Sequence, residues 1–165
     1  MKLNKLIAIA TISLLSGGIS MAQKALNLED IVAGNIIQTK GIGSMTWLKD
    51  GERYSRLENN KQTGGTDIVA YRAKDNSREV IIPSSLLTDK STGRPIPVRS
   101  VSWSADNEKV LIYNNTRRVW RYDTRGDYWV LNLKDGALRQ LGKGMPESSM
   151  MFAKFSPDGT RVAYV

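Results

Sequence analysis

The sequence predicts an all-β fold, a partial β-propeller of two to three four-stranded blades that is preceded by a signal-peptide helix. Three observations support this prediction: an apolar leader with a cleavage site, a segment that recurs three times, and short β-forming runs between its copies. The predicted boundaries are residues 1–22 for the signal peptide and residues 23–165 for an incomplete N-terminal propeller domain.

The first 22 residues have the pattern of a secretory signal peptide. Lys2 and Lys5 precede the apolar run 6–15, and the small residues Ser20 and Ala22 predict cleavage after Ala22. The apolar run is shorter than the ~18 residues of a membrane-spanning helix, and no later stretch reaches that length. We therefore expect an exported protein, periplasmic or secreted, with no transmembrane span after the signal. A buried N-terminal helix or an uncleaved anchor is the alternative.

Composition excludes several kinds of site. The chain has 24 Lys and Arg against 16 Asp and Glu, a net charge of +8, which removal of the leader lowers to +6. This modest charge, in an exported protein, argues against nucleic acid as a partner. The absence of His and Cys excludes a Ser-His-Asp triad, a disulfide and a His- or Cys-based metal site within these residues. No metal and no cofactor are predicted, since no phosphate loop or dinucleotide fingerprint occurs.

The repeated segment consists of a large aromatic residue, a polar turn with Asp before Gly or Asn, and an apolar run. The aromatic residues are Trp47, Trp103 and Phe155, at spacings of 56 and 52 residues. Ser-Pro-Asp-Gly at 156–159 fits a type I turn, and Asn107 tolerates the same left-handed position in the second copy. A period near 50 residues with about four strands is typical of propeller blades. An antiparallel sandwich with similar turns is the alternative.

The remaining elements follow from the β-forming runs between turns. Strands are predicted at 67–71, 101–103, 110–113, 127–131 and 137–141. Residues 84–97, which contain Gly and Pro, are predicted to form a surface excursion between blades. The 143 residues after the leader hold fewer than three blades, whereas closed propellers have about four to eight. Because 161–165 break off within a strand, we expect a truncated propeller with an open sheet edge.

The segment 117–133, RRVWRYDTRGDYWVLNL, is rich in arginine. We expect a strand to end near Asn114 and Asn115 and residues 116–126 to form a loop at one end of the central channel. Its cations could line a pocket for a charged or carbonyl-rich ligand. Alternatively, they could be solvated and paired with Asp123 and Asp127. The residues alone leave both interpretations open.

Three stretches resemble a known family: NTRRVWRY at 115–122, DYWVLNL at 127–133 and FSPDGTRVAYV at 155–165. Together with the leader they are similar to the N-terminal β-propeller of the dipeptidyl-peptidase IV family of prolyl oligopeptidase-type serine peptidases. The resemblance is clear in 100–165 and weak in 23–95. It implies an eight-bladed propeller over an α/β-hydrolase domain of the same chain. It also implies a Ser-Asp-His triad beyond Val165, so that these residues contain no catalytic group.

The resemblance also assigns site residues. Arg121 matches the arginine that bonds the carbonyl of the bound dipeptide, a role for which a forked, permanently charged donor is suited. Tyr122 stands where some relatives have His and would form part of the pocket wall. The two glutamates that hold the substrate ammonium would lie beyond Val165. Arg117, Arg118 and Arg125 are interpreted as loop cations.

The predicted function is therefore the propeller part of an exported serine exopeptidase that releases X-Pro or X-Ala dipeptides. The fragment itself should be inactive and should serve substrate access and anchoring. The expected partners are peptides with Pro or Ala second and the C-terminal hydrolase domain, and by family analogy a second copy in a homodimer. The alternatives are a prolyl tripeptidyl peptidase of the same superfamily and a non-catalytic periplasmic propeller that binds a partner.

Overall fold

A computed structural model describes residues 27–32, 41 and 43–165. The chain divides into two compact units, Met1–Gly41 and Ile42–Val165. The described part of the first unit contains the short helix α1, Leu28–Val32. The predicted signal peptide and its cleavage site lie outside the described residues. In the described ranges, no helix has the length and apolar character that crossing a bilayer requires.

The second unit is built from antiparallel sheets. Its first blade is a four-stranded meander, in which each strand pairs with the next one in sequence. The strands are β1 (Met45–Trp47), β2 (Arg53–Asn59), β3 (Thr66–Arg72) and β4 (Arg78–Ile82). Ile68, Val69 and Ala70 of β3 are all buried, so this strand has apolar contacts on both faces.

The second blade repeats this arrangement with two longer central strands. Its strands are β7 (Ser100–Trp103), β8 (Lys109–Val119), β9 (Tyr122–Asn132) and β10 (Ala137–Gln140), again paired in order. The short strand β11 (Met150–Met151) pairs with the first part of β9. A third sheet contains β12 (Lys154–Phe155) and β13 (Val162–Ala163). The all-β fold and the partial propeller predicted from the sequence are thus confirmed.

The three repeated aromatic residues occupy equivalent positions in the sheets of β1, β7 and β12. Trp47 pairs with Tyr54, Trp103 pairs with Val110, and Phe155 pairs with Val162, which is the same register each time. The pairing strands are joined each time by the polar turn of the repeat. The sequence repeat is therefore a structural repeat.

The turns of the repeat also share their hydrogen bonds. The amides of Gly51, Asn107 and Gly159 donate to the carbonyl three residues earlier at 3.1, 2.9 and 2.9 Å, and all three residues have positive φ. In the third turn, the Ser156 hydroxyl donates to Asp158 and holds the pKa of that carboxyl at about 2. The turn type predicted from Ser-Pro-Asp-Gly is confirmed.

The connection 84–97 differs in part from the predicted surface excursion. It forms a 3-10 helix, Ser84–Leu87, and a two-residue hairpin of β5 (Thr88–Asp89) and β6 (Arg94–Pro95). The hairpin turn is exposed, but Leu87 and Ile96 are buried. The prediction was wrong for these two residues because Gly and Pro mark turns without showing which neighbouring apolar side chains reach the core.

Two apolar clusters lie on the two faces of β8. The first contains Val110 and Ile112 of the second blade together with Ile68 and Ile82 of the first blade. The second contains Leu111, which packs with Tyr128 and Met150. Because successive residues of a strand point to opposite faces, β8 is buried on both sides. The first cluster joins the two blades into one core.

Candidate functional site

The arginine-rich segment is a β-hairpin, and the prediction of a loop over 116–126 was wrong. Strand β8 continues to Val119 and β9 begins at Tyr122, so that Trp120 and Arg121 form the turn. A strand end is predicted at Asn114 and Asn115. The structure instead has a register shift after Asn114, and pairing with β9 resumes at Arg117. We call residues 115–126 the hairpin arm.

The turn of the arm is strongly exposed. Trp120 is 93% exposed and has φ of 62°, a left-handed conformation that is uncommon for a bulky residue. Tyr122 is 73% exposed. The arm therefore presents Arg121 between two exposed aromatic side chains.

Three polar residues fix the base of the arm. The Asn115 side-chain amide donates to Asp127 Oδ2 at 2.7 Å, and the Ser148 amide donates to Asp127 Oδ1 at 2.8 Å. The Ser148 hydroxyl donates to the Asn115 carbonyl at 2.5 Å. We call these three residues, Asn115, Asp127 and Ser148, the polar clasp. Asp127 is buried and accepts from these donors. It forms no ion pair with an arginine of the arm, whereas the interpretation of the arginines as solvated cations would pair them with it.

Tyr113 supports the returning strand of the arm. Its hydroxyl lies 2.9 Å from the carbonyl oxygens of both Asp123 and Arg125, and its ring stacks on Tyr128 with the centroids 4.8 Å apart. Burial raises the pKa of the Tyr113 phenol, so the hydroxyl keeps its proton and can donate.

A cavity of about 620 Å³ opens beside the arm. Arg121 and Tyr122, the two predicted site residues, both line it. They are joined there by Arg99, Tyr113, Arg118 and Asp123. Arg118, interpreted from the sequence as a loop cation, is thus a cavity residue. Arg99 was missed, because it lies before β7 and only the pairing of β7 with β8 brings it to the arm.

The cavity contains more positive than negative charge. Its only lining carboxylate among the described residues, Asp123, lies 3.5 Å from the Arg99 guanidinium. Arg118 Nη2 donates to the Arg121 carbonyl at 3.4 Å. Within residues 43–165, no carboxylate lies at ion-pair distance from Arg118 or Arg121. Such a cavity suits a ligand with carbonyl or carboxylate oxygens.

The other two arginines of the arm do not line this cavity. Arg117 and Arg125 are directly paired across β8 and β9. Like charges in this position repel each other weakly. These two residues therefore provide controls for the cavity arginines.

The described residues of the cavity include neither a histidine nor a cluster of acidic side chains. Its hydroxyl groups have no histidine base beside them, because the chain contains no histidine. The described part of the chain also has no group of three or more Asp or Glu side chains arranged to hold a metal ion.

Comparison with known proteins gives a family match and related structures. Residues 104–165 match the family described as the dipeptidyl peptidase IV (DPP IV) N-terminal region. The chain is 25% identical over 159 residues to a probable dipeptidyl-aminopeptidase B of Aspergillus terreus, covering 91% of this chain and 17% of that protein. It is 31% identical over 62 residues to a protein of the same description from Aspergillus clavatus, covering 38% and 7%.

The fold is similar to that of Porphyromonas gingivalis dipeptidyl peptidase 4. The TM-score is 0.66 with 19% sequence identity, covering 87% of this chain and 19% of that chain. At this identity the comparison shows the shared fold. The chain spans less than a fifth of the length of these relatives.

Proposed function

We propose that this chain is the substrate-anchoring propeller region of an exported serine exopeptidase. The family match of residues 104–165 to the dipeptidyl peptidase IV N-terminal region supports this proposal. The exopeptidase would release X-Pro or X-Ala dipeptides from peptide N-termini. The observation that carries the proposal is the place of Arg121, which lies at the turn of the arm and lines a cavity of excess positive charge.

In the proposed mechanism, the Arg121 guanidinium donates to the carbonyl oxygen between the two residues of the bound dipeptide. This bond would fix the scissile bond of the substrate relative to the catalytic serine, which increases the rate by orientation. The polar clasp and Tyr113 hold the arm on which Arg121 lies. Serine chemistry would come from a hydrolase domain of the full-length protein. Tyr122 would contact the dipeptide from the first position of β9.

Recognition of the substrate ammonium requires carboxylates that this cavity does not offer. Asp123, its lining carboxylate, is paired with Arg99. The proposal therefore assigns the ammonium to glutamates of the full-length protein outside residues 1–165. Export is proposed from the pattern of the first 22 residues.

The experiment compares Arg121→Ala with wild type in the full-length protein, using Gly-Pro-anilide. Loss of a charge-assisted hydrogen bond costs about 1.5–3 kcal/mol, so we expect kcat/KM to fall roughly 10- to 100-fold. Arg117→Ala is the matched control and should stay within about twofold of wild type. Equal kcat/KM for Arg121→Ala and wild type would remove the anchoring role.

Analysis of the products from a Pro-containing peptide separates dipeptide from tripeptide release.

A further inference from the structure

We propose that Arg118, with Arg99, makes the cavity selective for substrates whose first residue has an acidic side chain. This inference rests on the proposed function, since it concerns the substrate class of the same site. It assigns a specificity role to two residues other than the anchoring Arg121.

The cavity has an excess of positive charge. Three arginines line it, Arg99, Arg118 and Arg121, against the single lining aspartate, Asp123, among the described residues. A ligand that only offered a carbonyl oxygen to Arg121 would leave the charge of Arg118 unmatched. A carboxylate on the ligand would balance it.

Arg118 lies next to Arg121 in the arm. Its Nη2 lies 3.4 Å from the carbonyl oxygen of Arg121, so the two cationic residues are neighbours at the turn of the arm. With Arg121 bound to the main-chain carbonyl of the substrate, Arg118 is available to the side chain that precedes this carbonyl. That side chain belongs to the first residue of the substrate. The inference therefore concerns a long acidic side chain, such as Glu, at this position.

Asp123, the lining carboxylate, is paired with Arg99. The Arg99 guanidinium and the Asp123 carboxylate are 3.5 Å apart, with their side chains 65% and 36% exposed. Exposed pairs of this kind are weak and easily exchanged. A substrate carboxylate can therefore share Arg99 without breaking a strong bond. For the same reason the preference for acidic substrates should be moderate and should weaken with salt.

The kinetic experiment uses the full-length protein with Glu-Pro-, Gln-Pro- and Lys-Pro-anilide. For wild type we expect kcat/KM for Glu-Pro-anilide about three- to tenfold above that for Gln-Pro-anilide, with Lys-Pro-anilide lowest. Arg118→Gln should bring the Glu-to-Gln ratio close to one, whereas Arg118→Lys should keep part of it. Arg117→Gln, on the same strand but outside the cavity, should keep the wild-type ratio. A wild-type ratio at or below one, or an unchanged ratio in Arg118→Gln, would overturn the inference.

A binding experiment separates this inference from the proposed function. Calorimetry measures the dissociation constants of the dipeptides Glu-Pro and Gln-Pro for the full-length protein and for Arg118→Gln. If no X-Pro-anilide is hydrolysed, the peptidase proposal fails. Tighter binding of Glu-Pro that is lost in Arg118→Gln would still support the charge selection. Equal binding of the two dipeptides to wild type would reject it.

Discussion

Gly126 is the residue at which the arm has least room for a side chain. A Cβ atom at this position would lie 2.3 Å from Tyr113 Cε2 and 2.7 Å from the carbonyl oxygen of Asn114. One of these contacts is to backbone, which cannot move aside as the end of a flexible side chain can. The close approach allows the Tyr113 hydroxyl to reach the carbonyl groups of Asp123 and Arg125.

Gly126→Ala should therefore destabilise the protein. We expect a loss of about 1–3 kcal/mol in the free energy of unfolding, the usual cost of overpacking a buried position. Urea denaturation followed by tryptophan fluorescence measures this change. Arg125→Ala, at the exposed neighbouring position, is the control and should change the free energy by less than about 0.5 kcal/mol. Equal unfolding midpoints for Gly126→Ala and wild type would contradict the steric argument.

The sequence indicated Arg121 and Tyr122 through the family resemblance, and both line the cavity. It did not indicate Arg99, and it grouped Arg118 with Arg117. The two neighbours Arg117 and Arg118 differ in their pairing: Arg117 lies opposite Arg125 and Arg118 opposite Asp123, with a register shift between them. A segment interpreted as a loop gives no strand register, so the sequence could not separate them.

Among the elements, the hairpin arm departs most from the sequence prediction. Asn at 114 and 115 is unfavourable within a regular strand, which is why a strand end was predicted there. In the structure Asn115 takes φ of 43° and Asp127 binds its side chain, so the strand resumes after a local irregularity. The partner that makes this possible, Ser148, is distant in sequence.

Removing the polar clasp should loosen the arm. Asp127→Ala leaves the Asn115 side-chain amide and the Ser148 amide without their acceptor, and we expect a loss of about 1–3 kcal/mol in the free energy of unfolding. Trypsin should then cleave faster at the arginines of the arm, which can be followed by mass spectrometry.

Two variants control this experiment. Asp127→Asn retains one acceptor oxygen and should give an intermediate cleavage rate. Asp135→Ala removes an exposed turn aspartate away from the arm and should leave cleavage there unchanged. If Asp127→Ala and wild type are cleaved at the same rate, the clasp does not hold the arm.

At the scale of the whole molecule, adjacent blades share one core. Ile68 and Ile82 from the first blade pack with Val110 and Ile112 from the second. Trp103 Nε1 also donates to Ser55 Oγ of the first blade at 3.1 Å. Close packing of successive blades face to face is the physical basis of a propeller.

The sequence could predict the repeat, because the turn of each blade depends on local residues such as Asp158 and Gly159. It could not predict which blade faces meet, because contacts such as Trp103 with Ser55 join residues far apart in the chain. For the same reason it missed the burial of Leu87 and Ile96 between turns.

A crystal structure of the full-length protein with a bound Glu-Pro dipeptide would show directly whether Arg121 anchors the substrate. We expect an Arg121 guanidinium nitrogen to lie about 2.7–3.2 Å from the carbonyl oxygen between the two residues of the dipeptide. A dipeptide bound away from the arm, with Arg121 directed into solvent, would contradict this expectation.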